Sequence, residues 1–111
     1  MIASILRLMN IDDFQKHALT SVAITDKGIP ALAHRTLGLT GEAGILANQL
    51  KKVIRDKDGM PDSADTEEAK KRLGDVLYYT AVLADYFGLS PSEVAEQNMQ
   101  RATSFKESRS E

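Results

Sequence analysis

Glu42 and Asp75 are the side chains best placed to do chemistry in this chain, because each interrupts an otherwise apolar helical pattern. Glu42 stands in Gly38-Leu39-Thr40-Gly41-Glu42-Ala43-Gly44-Ile45-Leu46-Ala47, and Asp75 in Arg72-Leu73-Gly74-Asp75-Val76-Leu77-Tyr78-Tyr79. On two antiparallel helices, spacings of three and four residues line up Glu42, Ile45 and Gln49 opposite Glu68, Arg72 and Asp75. A hard cation such as Mg²⁺ takes oxygen ligands in an octahedral array and keeps waters and substrate phosphates. Glu42 and Asp75, with Glu68 as a third carboxylate, are therefore a candidate metal cradle. Glycine at 38, 41 and 44 weakens a helix by about 1 kcal/mol per position relative to alanine. Close approach of a second helix is the gain expected to offset that loss.

The elements that must position these groups are helices. A first helix is expected over residues 12–25, capped by Asp12 with Gln15 three residues on, and ended by Asp26-Lys27-Gly28-Ile29-Pro30. A second, over 31–55, carries Leu32, Thr36, Leu39, Ala43, Leu46, Leu50 and Val53 at four-three spacing, which predicts a packing seam with Glu42 on its flank. Residues 56–66 form a polar connection whose Asp56-Lys57-Asp58-Gly59 does not fit a calcium loop, since Ile54 would fall at the first ligand position. A third helix, over 66–87, opens with Asp65 and Glu68 in capping-box spacing and has its seam at Ala69, Leu73, Val76, Thr80, Leu83 and Phe87. Gly88 is its expected left-handed terminator. Ser90-Pro91-Ser92-Glu93 then starts a fourth helix that frays from residue 106. No segment reads as a strand, so the fold class is all-α: a bundle of four to five helices with two long antiparallel helices at its centre.

Composition narrows the partners. The 111 residues suffice for one domain, read as 12–107 between a leader of residues 1–11 and a polar tail of 108–111. With 14 basic against 16 acidic residues and no basic cluster, no nucleic-acid partner is expected. The absence of cysteine removes thiolate chemistry and fits a cytoplasmic setting. Residues 1–9 are apolar except for Ser4 and Arg7 but too short to span a bilayer, so no membrane partner is expected either; the leader is read as packing on a neighbouring subunit. His17 and His34 lack partners at metal-ligand or triad spacing.

From about Leu32 to Phe105 the sequence resembles the MazG-like, all-α nucleoside triphosphate pyrophosphohydrolases. The resemblance rests on the 38–47 segment quoted above, Lys51-Lys52, Leu-Gly-Asp-Val-Leu-Tyr-Tyr at 73–79, Leu-Ala-Asp-Tyr-Phe-Gly-Leu at 83–89 and Glu-Val-Ala-Glu-Gln-Asn at 93–98. It implies hydrolysis of a nucleoside triphosphate to monophosphate and pyrophosphate. The cofactor would be Mg²⁺, or Mn²⁺, held by Glu-x-x-Glu on one helix and Glu-x-x-Asp on the next. By the same resemblance Glu42 and Asp75 are the catalytic ligands, Lys51, Lys52 and Arg101 meet phosphates, and Asn98 orients sugar or base. The family's homodimers or tetramers imply self-association, with which the apolar flank positions Ile45 and Val82 agree.

The chain departs from that pattern at two ligand positions. The second glutamate of the first motif is Ile45, and the glutamate three residues before Asp75 is Arg72. The two changes are complementary in charge, since Glu42, Arg72 and Asp75 sum to one negative charge. Arg72 can bridge the carboxylates with its fork of donors or bind substrate phosphate directly. Two functions follow as expectations: a pyrophosphohydrolase with a reduced metal site, or a catalytically inactive nucleotide-binding or structural oligomer in which Arg72 replaces the metal.

Overall fold

The computed structural model describes residues 9–110; residues 1–8 of the expected 1–11 leader and the last residue of the tail lie outside them. The described residues form four helices and no strand: α1 (Ile11–Leu19), α2 (Ile29–Lys57), α3 (Ser63–Tyr86) and α4 (Pro91–Ser110). The all-α bundle expected from the sequence is what forms. α2 and α3 make a long antiparallel hairpin, α1 packs on α3, and α4 meets α1 and α3 only. No described helix is long and apolar enough to cross a membrane.

Local chemistry sets the helix ends, in four places differently from expectation. α1 is capped by Asn10, whose side chain accepts from the Asp13 amide at 2.8 Å, while Asp12 accepts from the Ser92 amide at 2.9 Å and ties α1 to α4. α1 stops at Leu19, short of residue 25, because the Thr20 and Ser21 hydroxyls donate to the His17 and Ala18 carbonyls and turn the chain. α3 begins one turn earlier than expected, with a capping box of Asp62 and Asp65 in place of Asp65 and Glu68. α4, expected to fray from 106, is helical to Ser110. The Ser90 and Glu93 box forms as expected, each side chain accepting from the other's amide, and Gly88 takes φ +71° as the left-handed terminator.

The hairpin's interior differs most from the sequence reading. The expected seam residues are half-buried or exposed, with Val53 the buried exception, and the polar contacts between the two helices are made by their flanks. Arg35, Gly38, Glu42 and Gln49 of α2 meet Val82, Tyr79, Arg72 and Asp65 of α3. Arg35, only 1% exposed, donates to the Val82 carbonyl at 2.7 Å, to the Ile24 carbonyl at 3.3 Å and to Asp85 at 3.4 Å. The physical reason is satisfaction of polar groups: a guanidinium can be buried only where several acceptors converge, and its placement fixes the rotation of α2. Gln15 does the same for α1, donating to the Ala81 and Leu89 carbonyls at 3.0 and 2.9 Å. The small apolar core of Ala18, Val22 and Val82 lies where α1 meets α3.

Only one of the three glycines singled out in α2 serves close approach to α3. A Cβ on Gly38 would overlap the Tyr79 ring, whereas a Cβ on Gly41 or Gly44 would meet nothing within 4 Å. Two alanine substitutions therefore have opposite expected signs. Gly38→Ala destabilises by about 1–3 kcal/mol through overpacking, and Gly41→Ala stabilises by up to about 1 kcal/mol through helix propensity. Urea unfolding of the two variants checks both.

The connection between α2 and α3 is clamped by Lys57, whose ammonium lies 2.9 Å from Asp62 and 2.6 Å from Asp65. The Asp65 amide, then Lys57, holds the Asp62 carboxyl down to about 2 from 3.8. A depressed carboxylate stabilises the fold above its unfolded value, and that contribution disappears as pH falls from about 4 towards 2. Asp62→Asn should therefore melt lower than the parent at pH 7, with the difference shrinking across that window in thermal scans.

Candidate functional site

Arg72 sits at the centre of the candidate site. It projects from α3 into the hairpin, 23% exposed, and its Nε donates to Glu68 at 2.9 Å one turn earlier. Its Nη1 donates across to Glu42 of α2 at 3.3 Å and lies 3.9 Å from Asp75. The guanidinium thus draws together the three carboxylates that the sequence offered as metal ligands. Its own pKa is raised, chiefly by the Glu68 hydrogen bond. The i,i+4 and i,i+3 spacings put Glu68 and Asp75 on either side of Arg72 along one helix, and the Arg35 anchor sets the rotation that presents Glu42.

The arrangement answers the test of a metal cradle. A divalent cation would need the three carboxylates turned towards one another, whereas here they turn towards a fixed positive group that donates hydrogen bonds. Among the described residues no group of three or more His, Asp or Glu side chains is close enough to hold an ion. The side chains as placed do not fit Mg²⁺. Gln49, one turn beyond Ile45, donates to the Asp65 carbonyl at 3.0 Å and leaves its Oε1 buried without a partner among the described residues.

The other expected binding residues are not gathered at this centre. Lys51 and Lys52 are exposed near the end of α2, about 14 Å along the helix from Glu42 at 1.5 Å per residue. Asn98 and Arg101 are exposed on α4, near the exposed Phe105 of the same helix, and α4 does not touch α2. Within one chain, therefore, Glu42, Glu68, Arg72 and Asp75 form one cluster, and the lysine pair and the α4 pair stand apart from it. Arg35 and Gln15 escaped the sequence reading as polar anchors. Arg35 was detectable, since it lies on the same inward line as Gly38 and Glu42.

Removing Arg72 leaves three carboxylates facing one another. Arg72→Ala should lower the melting temperature at pH 7. The repulsion that remains is between part-exposed charges, so the deficit shrinks as added salt screens it. Millimolar Mg²⁺ should also restore part of the loss in the variant while leaving the parent unchanged. Thermal scans of both proteins across salt and Mg²⁺ concentrations test this, and identical responses would exclude Arg72 as the neutralising group.

No family model matches the chain, and no solved structure matches it. The Gene 37 protein of Mycobacterium phage L5 is similar to it, 35% identical over 103 residues that span 89% of this chain and 90% of that protein. This chain belongs to the family of the phage L5 Gene 37 protein.

Proposed function

We propose that the chain is a MazG-like helical protein that binds a nucleoside triphosphate or related nucleotide without hydrolysing it, with Arg72 in the place of the metal. The observation that carries this reading is the pairing of Arg72 with Glu42 and Glu68, and its proximity to Asp75. A guanidinium supplies charge and directed donors for phosphate oxygens, but it cannot polarise a bound water into a hydroxide as a divalent cation does. Lys51, Lys52 and Arg101 remain the cations for phosphate, and Asn98 the group for sugar or base. Because α2 and α4 do not meet within a chain, these residues would act as separate contacts or join across an assembly.

A second reading is the pyrophosphohydrolase itself, in which water attacks the α-phosphorus, the bond to the β-phosphate oxygen breaks, and monophosphate and pyrophosphate leave. It is favoured by the three carboxylates that surround Arg72, which become cation ligands only if Arg72 swings away and they turn towards one another. Nucleotide panels with and without Mg²⁺ or Mn²⁺ separate the two. The first reading expects a rise in melting temperature with nucleotide alone and no monophosphate on product analysis. Monophosphate and pyrophosphate that disappear with Glu42→Gln would establish the second, and no response to any nucleotide would remove both. On the first reading the Ile45→Glu, Arg72→Glu double variant gains turnover.

A further inference from the structure

α4 projects from the fold with almost no cover. Pro91 is buried, but every residue from Ser92 to Arg109 is exposed, and among the described elements only α1 and α3 touch the helix. A helix in water draws most of its stability from packing an apolar face, yet α4 leaves Met99 69% exposed. At the start of α1, Ile11 stands beside α4 and forms an open cleft with Ala95, Met99 and Thr103. Glu96 is the one charged residue that lines it.

We infer that residues 1–8, which lie outside the described residues, dock in this cleft of their own chain and not on a neighbouring subunit. Connection, reach, pattern and charge each favour that occupant. Leu8 is only three positions before Ile11, which already lines the cleft. From Ser92 to Thr103 the cleft runs about 17 Å along α4, and eight residues span about 12 Å as helix and up to about 27 Å extended. Met1, Ile2, Ile5, Leu6 and Leu8 share one side at helical spacing, while Ser4 and Arg7 share the other. Arg7 is the only charged side chain of the eight, one cation to meet the one carboxylate of the cleft. Asn98 and Arg101 lie about 100° and 160° around α4 from Met99, so a docked leader leaves them open. The docking is therefore independent of whether nucleotide binds.

The chain has no cysteine, so single cysteines report without background. In the full chain, Met99→Cys in the cleft and Gln97→Cys, about 160° around α4 from it, are timed for labelling by a maleimide. The expected result is Met99→Cys labelled about tenfold or more slower than Gln97→Cys, with a ratio that does not change on dilution. Ile5→Asp, which puts a charge on the apolar side of the leader, should bring the two rates to within about twofold while helix content by circular dichroism stays the same. If Ile5→Asp loses helix content, Arg7→Glu decides in its place: faster labelling of Met99→Cys supports the docking, and an unchanged rate overturns it. Equal rates with the leader unaltered overturn it at once. Slow labelling that Ile5→Asp does not relieve, in a chain of full helix content, assigns the cover to another part of the chain and overturns it. Slow labelling that disappears on dilution assigns the cover to a second copy, with the same consequence.

Discussion

The burial of polar and charged side chains between α2 and α3 is the constraint on which the rest of the structure depends. Two helices that met only through leucines could rotate against each other at little expense, because apolar contact is not directional. Arg35 cannot rotate without abandoning the carbonyls of Val82 and Ile24 and the carboxylate of Asp85. Once it is seated, Gly38 must lie under Tyr79, Glu42 must reach Arg72, and Gln49 must reach Asp65. Specific polar pairing supplies register here, and apolar burial supplies cohesion elsewhere in the molecule.

That division explains what could be read from the sequence. Helix number, the all-α class, the Ser90 and Glu93 cap and the Gly88 terminator are local signals, written within a turn of chain, and the structure agrees with them. The rotation of α2 and α3 is not local. Periodicity identifies Leu39, Leu46, Leu73 and Thr80 as one stripe per helix but is silent on whether the facing helix or a different surface meets that stripe. The Arg35 acceptors at Val82 and Asp85 lie 47 and 50 residues away in the chain, so no window around Arg35 discloses them. Of the candidate site, the opposition of Glu42 to Arg72 and Asp75 was legible from helical spacing, whereas the separation of Asn98 and Arg101 from it followed from where α4 docks.

The ionic centre shows one guanidinium serving several carboxylates at once. Arg72 holds Glu42, Glu68 and Asp75 around it with distances of 2.9 to 3.9 Å. The positive charge that offsets part of theirs is covalently part of the chain and cannot dissociate.

The span of the fastening bonds carries a consequence for the order in which the molecule assembles. The hairpin is closed by a connection of five residues, 58–62, clamped at its base by Lys57, so its ends meet at small loop-closure entropy. α1 is held by Gln15 to carbonyls 66 and 74 residues further along the chain. Contacts of such range become favourable only when the distant surface already exists. The hairpin thus serves as the template on which the amino-terminal helix is later laid, and a ribosome must have synthesised Leu89 before α1 has anywhere to go.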